Sequence, residues 1–108
     1  MKTGTLLGKP CKVNLYGTEY TVQLQVAGTY DNGRIAIQAI DTSDRSPFGM
    51  VSVNIPNAPV NEGEFCLKDY SENEGWARAA VDACGLFEDT GRSGASGHVV
   101  VPIYRLKS

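Results

Sequence analysis

The sequence predicts an α+β fold: a mainly antiparallel β-sheet of about five to seven strands with one α-helix, at about residues 72–84, packed on a face. Three observations carry this. The first two-thirds of the chain alternates apolar and polar residues with the period of a strand. At Asp69 the pattern changes to a helix-start signal followed by an alanine-rich stretch. The chain then returns to a β-branched run, His98–Leu106. No repeat and no linker divides the 108 residues, so a single domain is expected over 1–108. A chain of this length buries about 65% of its unfolded surface, enough for one core without disulfide staples.

The elements follow in order. Cys11–Tyr16 alternates with Cys11, Val13 and Leu15 on one face, and Gly17-Thr18 reads as a turn. Glu19–Ala27 places Tyr20, Val22, Leu24 and Val26 on one side, so the two segments form a hairpin. Asp31-Asn32-Gly33 is a turn, because Asn-Gly tolerates positive φ. Arg34–Asp41 is partly apolar on both faces, which suits a central strand. Thr42–Pro47 is a polar loop, and Met50–Ile55 is a strand with Val51, Val53 and Ile55 inward. Pro56-Asn57-Ala58-Pro59 ends the sheet, since proline donates nothing to a ladder, and Glu64–Lys68 is a short strand.

Ser71 and Glu74 have the S-x-x-E spacing of a capping box. Glu72 and Glu74 favour the positive end of the helix, and Gly85 is placed to stop it in a left-handed conformation. Trp76, Ala80 and Ala83, widened by Ala79, form the inward face, while Arg78 and Asp82 pair on the outside. Leu86–Thr90 is a short strand, Gly91–Gly97 a flexible loop and His98–Leu106 the last strand. Pro102 puts that strand at a sheet edge or a bulge.

Composition narrows the function. With 42% hydrophobic and 20% charged residues the chain is too apolar to be disordered. A net charge of −2 argues against direct nucleic-acid binding through phosphate contacts. The N-terminal stretch has only Leu6 and Leu7 as an apolar pair, too little for a signal peptide, and no window is apolar enough to span a membrane. A cytoplasmic location is expected. Cys11, Cys66 and Cys84 form no C-x-x-C pair, so neither zinc nor any other metal or cofactor is expected. The thiols read as small hydrophobes.

Two stretches are candidate binding sites. Gly91–Gly97 could wrap an anion, with Arg92, Ser93 and Ser96 holding the phosphates of a nucleotide. It lacks the lysine and the following helix of a P-loop, and its structural reading is a plain connecting loop. The acidic residues Asp69 and Glu72, with Glu88 and Asp89 further on, are the second candidate, a patch that meets a basic partner. Helix capping explains part of this cluster equally well. His98 is the one histidine. Ser93 and Ser96 lie near it, but neither sits on a nucleophile elbow, so no catalytic residue is assigned and a non-enzymatic role is expected.

Several stretches together, YTVQLQV, IAIQAID, VSVNIPNAPV, LKDYSENEGWARAAVDACGLFEDTGR and GHVVVPIYRL, resemble a family of small proteins encoded by bacteriophages, plasmids and other bacterial mobile elements. The resemblance covers roughly the last 90 residues and is most specific from Lys68 to Arg92. It implies a genomic setting and carries over no catalytic residue. By analogy with other accessory proteins of such elements, it implies a counter-defence inhibitor, anti-CRISPR-like, that binds a bacterial defence protein stoichiometrically. A sponge that sequesters a nucleotide immune signal is the second reading, and a structural or regulatory protein of the element the third. Exposed strand edges make a homo-oligomer compatible with any of them.

Overall fold

The computed structural model describes residues 2–107, and at Ser96 the backbone alone. It is α+β, as expected, but with eight strands in two antiparallel four-stranded sheets rather than one sheet of five to seven. The first half of the chain builds one sheet and the second half the other.

Sheet one is the meander β1 (Leu6–Leu15), β2 (Thr18–Thr29), β3 (Ile35–Asp41) and β4 (Pro47–Met50). The first hairpin closes on Tyr16-Gly17, one residue earlier than expected, with φ of 52° and 81°. Two successive positive φ values are the signature of a type I′ turn, whose twist matches that of the strands. β1 starts five residues before the expected Cys11, through a bulge. Leu7 pairs with Leu24 and Cys11 with Val22, so Gly8–Pro10 oppose Gln23 alone. The Gln23 amide donates to the Gly8 carbonyl at 2.9 Å and replaces a lost ladder bond. The Asp31–Gly33 turn is present, and β3 lies inside the sheet with Ala36, Ile37, Ala39 and Ile40 all buried.

The expected strand Met50–Ile55 is split. Pro47–Met50 finishes sheet one, and β5 (Ser52–Val53) starts sheet two. Between them Val51 donates to the Ile37 carbonyl and accepts from Lys68 N–H, at 2.9 and 2.8 Å, so one fully buried residue is bonded to both sheets. The chain bends here because a strand that changes sheets must turn a corner. Ser52 Oγ accepts the Ile37 N–H at 2.9 Å beside this corner and is hydrogen-bonded to the Tyr30 hydroxyl. Ser52→Ala is expected to cost about 2 kcal/mol, because a buried backbone donor loses its acceptor. Urea unfolding checks this, and a loss below about 0.5 kcal/mol would mean the corner relaxes.

Sheet two has the order β5-β6-β8-β7, with β6 (Glu64–Leu67), β7 (Phe87–Ser96) and β8 (Val99–Leu106). The expected flexible loop 91–97 is mostly strand: β7 runs to Ser96, and only Gly97-His98 form the turn. β8 is internal, so Pro102 is not at an edge. It faces a bulge, where Asp89↔Tyr104 is followed by Ser93↔Pro102, and β6 pairing stops at Ile103. A proline is tolerated where the ladder is already broken.

The helix is shorter than expected. α1 spans Trp76–Cys84, after a 3₁₀ turn at Ser71–Asn73. No capping box forms: Ser71 has φ 57°, Gly75 is the N-cap, and neither start carries a side-chain cap. The 3₁₀ turn instead buries Asn73, which donates to the Met50 carbonyl, while Trp76 Nε1 donates to Glu72 O at 2.9 Å. The buried face is Trp76, Ala77, Ala80, Val81 and Cys84, so Ala79 and Ala83 point to solvent instead of inward. Gly85 ends the helix at φ 83°, as expected.

The main core lies between sheet one, α1 and the inner face of sheet two, and includes Leu24, Ile37, Val51, Phe65, Leu67 and Trp76. Edge-to-face aromatic pairs, Phe48–Trp76 at 4.9 Å and Phe65–Phe87 at 5.2 Å, bind its parts. The outer face of sheet two carries a smaller core, Ile55, Ala58, Cys66, Val101 and Ile103. Among the described residues no helix is long and apolar enough to cross a membrane.

Candidate functional site

The four acidic candidates are divided between two faces. Glu88 and Asp89 are neighbours on β7, and successive strand residues point to opposite sides. Glu88 pairs with Arg105 at 3.5 Å on the outer face, where Arg105 is its cross-strand partner. Asp89 lies on the α1 side. It takes Arg78 at 3.1 Å and accepts the Gly91 N–H at 2.8 Å. Arg78 makes its ion pair with Asp89 and not with the expected i, i+4 partner Asp82. Asp82 instead accepts the Tyr104 hydroxyl at 2.9 Å, and burial, reinforced by that bond, pushes the phenol up to about 12.

Asp69 joins the same face. Its carboxylate accepts the Gly75 N–H at 3.3 Å, at the start of α1. The Arg78 guanidinium sits 6.0 Å over the Tyr104 ring. The Tyr104 phenol, then Asp89, Asp82 and Asp69 hold its pKa above the ordinary value. Asp89 alone contacts Arg78, and Asp82 and Asp69 add negative charge in its neighbourhood. Glu72 has a cation of its own. Lys68 meets it at 2.8 Å, and that hydrogen bond and charge bring its carboxyl down to about 2. The structure therefore ties Asp69 to the start of α1 and Asp89 to Arg78 on it, pairs Glu72 with Lys68, and leaves Glu88 on the other face of β7.

The Gly91–Gly97 candidate has a different internal logic. Arg92 sits in the bulge of β7 and turns onto the Glu64 carboxylate and the Pro59 carbonyl. Glu64 is 7% exposed and also accepts the Asn61 N–H at 2.9 Å. Burial pushes its carboxyl up, but the Arg92 bond, the Asn61 N–H and the charges of Arg92 and Arg105 outweigh that and hold it below the usual value. The Arg92 guanidinium is thus already engaged by the protein. Ser93 is exposed on β7, and the Ser96 side chain lies outside the described residues. Gly94 has a packing reason: a Cβ there would lie 2.8 Å from Ala58 Cβ. Only glycine lets the segment carrying Ala58 lie flat on the strand.

Sequence reasoning missed a third site. A cleft of about 810 Å³ opens between the Asn32-Gly33 turn and the segment Pro56–Glu64, with Phe87 and Leu106 at its end. Its wall is built by Arg34, whose Nη1 donates to the Ile55 carbonyl at 2.6 Å and whose Nη2 donates to those of Pro56 and Ala58 at 3.2 and 3.0 Å. Asn32 Nδ2 adds a bond to Asn54 Oδ1 at 3.0 Å. Nothing local in the sequence announces this: the lining residues come from a turn, an irregular segment and two strand ends.

The cysteines are packing groups. Burial pushes the Cys66 and Cys84 thiols up, away from a reactive thiolate. Compared with protein-family models, curated proteins and solved structures, the chain matches none.

Proposed function

We propose that this chain is a non-enzymatic binding protein, an accessory factor of a bacterial mobile element that inhibits a defence protein by stoichiometric association. The observation that supports it is a set of acidic side chains held by the fold: Asp89 pairs with Arg78, Asp82 is bonded to Tyr104, Asp69 to the Gly75 N–H and Glu72 to Lys68. The carboxylates are held in place by a helix start, a helix and a strand, so their field is fixed before any partner arrives. A fixed negative surface attracts a protein with a basic nucleic-acid channel and competes for that channel. The sponge reading has less support, because its cation, Arg92, is bound to Glu64 and Pro59.

The division of the acidic residues supplies an internal control. Target cleavage by a panel of RNA-guided nucleases is titrated with the protein. For a nuclease that is inhibited, Asp69→Ala/Glu72→Ala/Asp89→Ala is expected to weaken inhibition by about tenfold or more at low salt, and less at high salt. Glu88→Ala, on the other face, is expected to stay within about twofold, since exposed ion pairs contribute little. Inhibition unchanged in the triple variant would identify the wrong surface. No inhibition in the panel, with a nucleotide retained in native mass spectrometry, would favour the sponge.

A further inference from the structure

We propose that Cys11 and Cys84 form a redox pair: a small-molecule disulfide oxidises them to an internal bridge that clamps the end of α1 to the edge strand β1. All three cysteines are free thiols in the structure. Two of them meet at the β1 bulge. Leu7 lies opposite Leu24 and Cys11 opposite Val22, and Leu24 and Val22 both belong to the main core. Opposed residues share a face, so the bulge leaves Leu7 and Cys11 on the core side of β1, one side-chain repeat of about 7 Å apart. Cys84 comes down from α1 onto this bulge. Its thiol donates to the Leu7 carbonyl at 3.5 Å, and its sulfur lies 2.5 Å from where a Cβ on Gly8 would stand. The missing Gly8 side chain is what lets the sulfur rest on β1. Cys11 packs against the same core. Burial raises its pKa and Cys84 raises it further, as a neighbouring thiol does.

Exposure divides the roles. Cys11 is half-buried and reaches solvent, whereas Cys84 is 2% exposed. The Cys11 thiolate attacks one sulfur of the small disulfide and releases one small thiolate, which leaves a mixed disulfide on Cys11. The Cys84 thiolate then attacks the Cys11 sulfur and expels the second small thiolate. The protein loses two protons and two electrons, and the oxidant leaves as two thiols. Cys84 is hidden from outside oxidants but not from Cys11. Cys66 takes no part, because it belongs to the smaller core on the outer face of sheet two, with Ile55 and Ala58. The bridge closes a loop of about 70 residues and so restricts the unfolded chain. In a reducing compartment such a pair is a sensor and not a staple: open by default, closed when the thiol–disulfide balance turns oxidising.

The reduced full chain is incubated with oxidised glutathione, and the remaining thiols are alkylated and mapped by peptide mass spectrometry. One product about 2 Da lighter is expected, with a linked Cys11–Cys84 peptide and an alkylated Cys66. Its Tm is expected to rise by about 10 °C and to fall back when dithiothreitol is added. Cys11→Ser, at a half-buried position, is expected to fold, to form no internal bridge and to show no such rise. Three alkylated thiols after oxidation, a glutathione adduct that persists on Cys11, a bridge to Cys66, or a bridge that leaves Tm unchanged would overturn the inference. Bridging only in concentrated urea would do the same, since it would belong to the unfolded chain. None of these readouts involves a nuclease, so the redox pair stands or falls apart from the function proposed above.

Discussion

Gly8→Ala is expected to destabilise the protein by about 3 kcal/mol, combining backbone strain with overpacking. Gly8 lies in the β1 bulge at φ +62°, against the end of α1. A Cβ there would stand 2.2 Å from the Cys84 carbonyl oxygen and 2.5 Å from its sulfur. The oxygen belongs to the last residue of a packed helix and cannot rotate away. The sulfur is also fixed, with its thiol 3.5 Å from the Leu7 carbonyl and the residue 2% exposed. Truncating the sulfur in Gly8→Ala/Cys84→Ala is therefore expected to recover less than half of the loss. Urea unfolding followed by the fluorescence of buried Trp76 reports both values. A Gly8→Ala protein within about 1 kcal/mol of the parent would show that the bulge shifts freely.

The second large effect is at the Glu64–Arg92 pair. Arg92→Ala leaves a buried carboxylate with one backbone donor and releases the Pro59 carbonyl, and a cost of about 3 kcal/mol at neutral pH is expected. The pH dependence has a defined sign. The folded-state pKa of Glu64 lies below its ordinary 4.5, so the carboxylate contributes stability that is fully present above that value. That contribution disappears as the pH falls through the folded-state value. The gap between parent and Arg92→Ala is therefore expected to be wide at pH 7 and to narrow below about pH 4. A gap that stays constant with pH would mean that Arg92 acts only through Pro59 and packing.

How much of this was legible beforehand differs by element. The alternation of Tyr20, Val22, Leu24 and Val26 identified β2, and Gly85 marked the helix stop, because strand period and left-handed caps are local properties. Met50–Ile55 has the unbroken side-chain period of one strand, yet Val51 changes sheets through hydrogen bonds to Ile37 and Lys68. Gly91–Gly97 resembled a loop by composition. Its glycines instead serve a bulge and the close approach of Ala58, which is a nonlocal requirement. The S-x-x-E spacing failed for a similar reason: burial of Asn73 and Trp76 against β4 sets the backbone at Ser71. Of the candidate residues, Asp69 and Asp89 are both tied to α1, whereas Arg92 has its partner in Glu64, far away in sequence.

The division of the chain into two sheets has a consequence in time. β1 to β4 are complete by Met50, but the apolar face of that sheet is covered first by α1, which ends at Cys84, and then by the inner face of sheet two. A hairpin closes within microseconds, whereas a ribosome adds about 5–20 residues per second. Sheet one therefore waits roughly two to seven seconds during synthesis with its hydrophobic side open, before the helix has emerged to cover it. Sticking to neighbouring chains is most dangerous in that interval. The edge strand β1, with Lys9, Pro10, Lys12 and a bulge, is built to resist it.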